Sequence, residues 1–259
     1  MPFAQLQAAR IHYDLSGPAD APVLVFSNSL GANFSMWDSQ LPALQKHFRV
    51  LRSDTRGHGQ SSVTPGPYSI EQLSKDVLSL LDSLHLDRVY FCGLSMGGMI
   101  GMWLSVNAAH RLHKVVLCNT AAKIGTPEFW NPRIEKVRKG GMRAVSVAII
   151  ERWFTPAYRA QSPSVIAATQ SILESHDPEG YVANCAAIRD FDARATISAI
   201  HLPTLIITGT HDPATTVADG RYLEAQIKGA RFAELNASHL SNIEACAHFN
   251  AEISSFLLS

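Results

Sequence analysis

Charge is what this chain has least of. Charged residues fill 17% of its 259 positions, against about 25% in an ordinary globular protein. Its 22 Lys+Arg are balanced by 22 Asp+Glu, for a formal net charge of zero. With 46% hydrophobic residues, such a chain is neither a disordered segment nor a coiled coil, and it presents no bulk positive field to nucleic acid. The cysteines, Cys92, Cys118, Cys185 and Cys246, are few and far apart, without CxxC or zinc-finger spacing. That argues against a disulfide framework or a structural metal and for a reducing, cytoplasmic setting. Met1–Arg10 holds no basic segment followed by an apolar stretch, so it does not read as a signal peptide. There are no internal repeats and no low-complexity tracts. Only Val89–Ala109 is long and free of formal charge, and Gly93, Gly97, Gly98, Gly101, Ser95, Ser105 and Asn107 dilute it. A buried strand running into a buried helix accounts for it better than a membrane span.

What is present is alternation. Short apolar runs recur at Val23–Ser27, Phe48–Ser53, Val89–Cys92, Val115–Cys118, Leu205–Thr208 and Arg231–Leu235, near-continuous as in strands covered on both faces. Amphipathic helical patterns lie between them. The clearest opens at Ser69, with Gln72 placed for a capping box and Ile70, Leu73, Val77, Leu80 and Leu84 forming one stripe. A closing helix is expected over about Ile243–Leu258. The order implies a mostly parallel central sheet flanked by helices. Between residues 121 and 191 the strands stop and the pattern turns helical. The chain therefore reads as one α/β domain, core 1–120 and 192–259, with a helical cap at 121–191 above the carboxyl edge of the sheet, where open α/β sheets bind ligands.

Gly93-Leu94-Ser95-Met96-Gly97 is a G-x-S-x-G string entered by a strand and left by a helix, the setting of a nucleophile elbow. A serine nucleophile needs a base, and the base an orienting acid. Asp212 follows the run Leu205–Thr208, and His239 follows the run ending at Leu235, so both should emerge at the same sheet edge as Ser95. His58, His110 and His211 are rival bases; Asp190, Asp192 and Asp219 are rival acids. The developing oxyanion needs backbone donors, for which the amides of Met96 and Leu30 stand in the right loops. Asp54-Thr55-Arg56-Gly57-His58-Gly59-Gln60-Ser61 reads as a structural turn.

These strings together resemble the α/β-hydrolase superfamily across essentially the whole chain. At finer grain the chain is similar to the 3-oxoadipate enol-lactonases, on Ser27-Asn28-Ser29-Leu30-Gly31, Met36-Trp37-Asp38, Gly93 to Gly98, Phe129 to Ile134 and Ala237 to Glu244. Most members of the wider superfamily carry His-Gly where Asn28-Ser29 stand here. The resemblance implies a serine hydrolase of aromatic-compound catabolism that opens a small anionic lactone with no metal or organic cofactor. Independently, Ala121–Ala160 holds Lys123, Arg133, Lys136, Arg138, Lys139, Arg143, Arg152 and Arg159 against Glu128, Glu135 and Glu151. Such a lid would attract a carboxylate, although most of these charges suit exposed helix faces. Arg133 is the expected contact for that carboxylate, and Trp130 the expected cover for the ring. A broader carboxylesterase, a C–C bond hydrolase or a perhydrolase would carry the same triad, and a ligand receptor on this fold would keep it without turnover. The sequence leaves room for a homo-oligomer.

Overall fold

In the computed structural model, which describes residues 2–259, the chain runs β1 (Phe3–Gln5), β2 (Arg10–Ser16), β3 (Val23–Ser27), α1 (Leu41–Leu44), β4 (Arg49–Ser53), α2 (Ile70–Ser83), β5 (Val89–Leu94), α3 (Met96–Asn107) and β6 (Leu112–Cys118). Five helices follow without a strand: α4 (Pro127–Gly140), α5 (Arg143–Trp153), α6 (Pro156–Gln161), α7 (Pro163–Ser175) and α8 (Pro178–Asp190). The alternation then resumes with β7 (Thr204–Gly209), α9 (Val217–Gln226), β8 (Arg231–Leu235), α10 (Ser241–Glu244) and α11 (Cys246–Leu257).

The strands form one eight-stranded sheet in the order β1-β2-β4-β3-β5-β6-β7-β8. β1–β2 and β2–β4 pair antiparallel, and every later pairing is parallel. Register matters most for function. Ser27 pairs with Gly93, Leu94 with Cys118 and Gly209 with Leu235. The loops that carry residues 28–31, 95–96, 119, 212 and 237–239 therefore leave the sheet at one level of its carboxyl edge.

The apolar runs expected as strands all appear, each within a few residues of the expected bounds. β1 and β2 were not foreseen. β1 is a three-residue edge strand and β2 lies between it and β4; both are exposed or half-buried over much of their length, so they lack the continuous apolar signal of a two-sided strand. In α2 the Ser69 hydroxyl accepts from Gln72 N at 3.1 Å; the return bond expected from the Gln72 side chain is not found among the described residues. Ile70, Leu73, Leu80 and Leu81 are buried along it. The closing helix is in fact two, α10 and α11, parted at Ala245. Val89–Ala109 is β5 running into α3; among the described residues no helix is long and apolar enough to cross a membrane.

Candidate active site

Ser95 sits between β5 and α3 with φ 59 and ψ −113, a left-handed backbone that non-glycine residues adopt at a cost of order 1–3 kcal/mol. The turn tolerates no bulk around it. A Cβ on Gly97 would lie 2.1 Å from the Ser27 carbonyl oxygen, and one on Gly93 would lie 2.1 Å from that of Gly97. Backbone bonds hold the elbow between two loops: Ser95 N donates to Cys118 O at 2.9 Å and Gly97 N to Asn28 O at 3.0 Å. The Thr120 hydroxyl donates to Ser95 O at 2.8 Å. The strained residue is thus over-determined by its surroundings, as a pre-set nucleophile must be.

His239 Nδ1 lies 2.7 Å from Asp212 Oδ2, with both side chains almost fully buried. The same carboxylate oxygen accepts from the Thr215 hydroxyl at 2.7 Å and Asn119 Nδ2 at 3.0 Å, while Oδ1 accepts from Ala214 N and Thr215 N. Burial by itself would raise the Asp212 carboxyl. The facing charge and hydrogen bond of His239, with Thr215 and Asn119, outweigh it and hold the group below the ordinary carboxylate range. An acceptor held in this way keeps the proton of His239 on Nδ1 and leaves Nε2 free to act as a base. The other candidates lie elsewhere. Asp190 pairs with Arg189, Asp192 with Arg194 and Asp219 with the Thr216 cap of α9; His211 bonds Asn236, His58 is buried in another loop, and His110 is exposed in the turn between α3 and β6.

Ser95 and His239 border one cavity of about 280 Å³ with Ser29, Leu30, Ile124, Gly125, Phe129, Trp130, Arg133, Ile149, Arg152, Trp153, Tyr181, Ile188, Pro213 and Ala214. No hydrogen bond joins Ser95 Oγ to His239 among the described residues; such bonds commonly tighten only when substrate is bound. Leu30 lines the cavity and Met96 opens α3 behind the serine. Neither of their amides donates to another group among the described residues. The Met96 amide is one of the unpaired donors of a helix N-terminus. Asn28 braces this region: its Nδ2 donates to Ser53 O at 2.8 Å and its Oδ1 accepts from Trp37 Nε1 at 2.9 Å.

The Trp130 ring is fixed as a wall, with Nε1 donating to Ile124 O at 2.7 Å. The Arg133 guanidinium lies 4.9 Å from that ring and 5.2 Å from Phe129, and Arg152 lies 5.7 Å from Phe129. Among the described residues neither arginine forms a salt bridge. Burial and then the charge of Arg133 lower the affinity of Arg152 for its proton. The cavity therefore holds two uncompensated cations facing one space, an arrangement that an entering anion would relieve.

Sequence reasoning did not single out Asn119, Thr215, Phe129, Tyr181 or Glu244, and it left Arg152 undistinguished among the cap cations. Asn119 was within reach of the strand-end rule, since it directly follows β6. Arg152 was visible only through its company, on the face of α5 that also carries Ile149. Glu244 ties the cap to the histidine loop: it accepts from Ser238 N at 2.9 Å and from Thr155 N at 3.3 Å. No pattern along the chain announces that link.

The sequence pattern of the alpha/beta hydrolase fold family matches residues 22–145. The chain is 42% identical over 244 residues to 3-oxoadipate enol-lactonase 2 of Acinetobacter baylyi, covering 94% of this chain and 91% of that one. It is 38% identical to 3-oxoadipate enol-lactonase 1 of the same organism, over 98% and 95% of the two chains. Its structure superposes on the crystal structure of the enol-lactonase from Burkholderia xenovorans with a TM-score of 0.99, at 49% identity, covering 100% of each.

Proposed function

Since the chain belongs to the α/β-hydrolase family, and within it to the branch of the enol-lactonases, we propose that it is a serine hydrolase that opens the enol-lactone of 3-oxoadipate to 3-oxoadipate. The observation that carries this reading is the pairing, in one cavity, of a strained serine and a carboxylate-oriented histidine with two guanidiniums that have no anionic partner. A neutral ester needs only the first half of that equipment. The second half suits a lactone that carries a carboxylate.

In this mechanism His239 Nε2 takes the Ser95 proton as Oγ attacks the lactone carbonyl. The tetrahedral oxyanion is held by the amides of Leu30 and Met96. Collapse breaks the ring C–O bond. The ring oxygen departs as an enol, protonated by His239 and still tethered to the acyl group on Ser95, and it tautomerises to the ketone. An enol leaves more readily than an alkoxide, so little is asked of His239 as an acid. Water then attacks the acyl-enzyme, giving up its proton to His239, and Ser95 departs with a proton returned from the same ring. Asp212 holds the tautomer throughout and stabilises the imidazolium. Trp130 covers the lactone ring, Arg133 and Arg152 receive the carboxylate, and residues 121–191 serve as the cap that excludes water.

The test is spectrophotometric turnover of freshly generated enol-lactone. Ser95→Ala should fall by about three orders of magnitude or more with the fold intact. A Ser95→Ala protein with wild-type turnover would remove the serine mechanism. Slower turnover of the enol-lactone than of a neutral aryl ester would replace the lactonase reading with a broader carboxylesterase.

A further inference from the structure

Away from the reacting groups, two imidazoles converge on a single glycine. His58, in the loop after β4, and His176, which ends α7 in the cap, are 1% and 4% exposed, and their ring centres lie 4.6 Å apart. Both rings reach Gly31, which follows the cavity-lining Leu30 and has φ +80. Gly31 N donates to His58 Nε2 at 2.8 Å, and Gly31 O lies 3.0 Å from His176 Nε2. One ring therefore fixes the peptide plane before Gly31, and the other fixes the plane after it.

The bonds are compatible with one protonation state only. His176 Nδ1 accepts from Gly59 N at 3.0 Å, so its proton is on Nε2, where it can be given to Gly31 O. His58 Nε2 accepts from Gly31, so its proton is on Nδ1. Asn184 Nδ2, 3.1 Å from His58 Nδ1, spends its hydrogens on the Arg56 and Gly180 carbonyls at 2.8 Å each, so it gives none to that ring nitrogen. Both rings are thus neutral, opposite tautomers. Burial, first of all, pushes both below the ordinary histidine value; the proximity of His176 adds to the effect at His58, and Gly31 O and Asp54 offset part of it at His176.

We propose that His58 and His176 are positioning residues for acyl transfer: by clamping both peptide planes of Gly31 they set the backbone of Leu30, and so aim the Leu30 amide at the oxyanion. The placement of His176 makes the cap a structural partner of the oxyanion loop as well as a cover. The inference rests on the Ser95 mechanism but not on the lactone, so p-nitrophenyl acetate is the probe. A pocket donor aimed at an oxyanion is worth 10²–10³ in kcat when deleted, and a misaimed one should forfeit about 10- to 100-fold.

His58→Leu should lower kcat on p-nitrophenyl acetate by that factor with KM within about threefold, and His58→Gln, whose side-chain oxygen can accept from Gly31 N, should recover most of it. His176→Leu and His176→Gln should behave as a parallel pair, the glutamine amide donating to Gly31 O. Equal losses in the leucine and glutamine variants, or a change confined to KM, would overturn the proposal. Should the leucine variants not fold, nitrogen-15 NMR of the wild-type imidazoles at neutral pH decides it. Neutral Nδ1–H at His58 and Nε2–H at His176 are expected, and an imidazolium or the reverse tautomer at either ring would defeat the clamp. Inactivity of the wild-type protein on the enol-lactone with normal ester turnover would sink only the lactonase reading.

Discussion

Removing the charge of Arg133 while keeping its stem separates recognition of the substrate's carboxylate from the chemistry at Ser95. Arg133→Met keeps an apolar stem but removes the guanidinium from over the Trp130 and Phe129 rings, so a neutral ester serves as the control for lost packing. Two unit charges 4 Å apart attract by about 4 kcal/mol at an effective dielectric of 20. Part of that offsets the stripping of water from the carboxylate, and hydrogen bonds to charged groups retain about 1.5–3 kcal/mol net. The expected loss is about 10- to 150-fold in kcat/KM for the enol-lactone, carried chiefly by KM, because the carboxylate is bound alike in ground and transition states. A neutral aryl ester should lose less than about threefold. Arg152→Met should do the same, and the double variant should fall short of the product of the two, since both cations face one anion. The sign of the stability change is a further check. In the substrate-free cavity Arg152 is partly stripped of water and repelled by Arg133, so Arg152→Met should melt at the wild-type temperature or above it. Equal losses on the lactone and the ester, or a marked fall in melting temperature, would show that the arginines hold the cap together instead of holding the substrate.

Three further outcomes follow from the same geometry. Asp212→Asn keeps the shape of the site but presents an amide to His239 Nδ1, so kcat on any substrate should fall by about 10⁴ with little change in KM; a loss under tenfold would point to another acid. The buried neutral histidines predict acid sensitivity. With the folded-state affinities of His58 and His176 for protons depressed, the unfolded chain binds more protons below its own value near 6.5, so each contributes stability that declines as pH falls below about 6.5, by at most ~1.4 kcal/mol per pH unit. Asp212, depressed in the fold, adds stability lost only at much lower pH, and chemical denaturation at pH 7, 6 and 5 should show the histidine slope and its flattening in His58→Gln. Gly97→Ala, whose methyl would meet the Ser27 carbonyl, should fail to give soluble protein or leave an open, inactive elbow; normal turnover would show that the contact between β3 and α3 can relax.

The legible parts of this chain were those written locally. Two-sided strands announce themselves as apolar runs, and the elbow string needs glycines because backbone approaches backbone there, so Ser95, Asp212 and His239 could be set at one sheet edge by counting strands. The three-residue edge strand β1 and its neighbour β2 escaped because they carry no such run, since half-exposed residues such as Tyr13 and Asp14 break it. The supports of the site escaped for a different reason. Asn119 reaches Asp212 across 93 positions and His176 reaches Gly31 across 145, and single polar residues joined only through the fold leave no periodic trace. Arg152 was counted among the cap charges, but its exposure to the cavity depends on which turn of α5 faces inward.

Those long-range ties also divide the labour of the molecule. The groups that would react all stand on loops of the sheet edge, braced by the sheet itself, whereas the groups that would choose the substrate stand on the helices between β6 and β7. A cap that only selected could drift without harm to the chemistry. Here it cannot, because three joints fasten it to the reacting loops: Ser238 Oγ donates to Arg152 O at 2.7 Å, Leu240 N donates to Trp153 O at 3.0 Å, and Glu244 joins Thr155 to Ser238. The end of α5 is thus bonded on either side of His239, next to the arginine that would hold the carboxylate. Under the proposed mechanism, anchoring the anion and anchoring the base would be one structural act, and the distance between the lactone carbonyl and the imidazole would be set by a short stretch of shared backbone. Glu244→Gln, which keeps the shape but weakens the joint, should therefore lower kcat on the lactone and the neutral ester together. A loss confined to KM for the lactone would mean that cap and base are positioned independently.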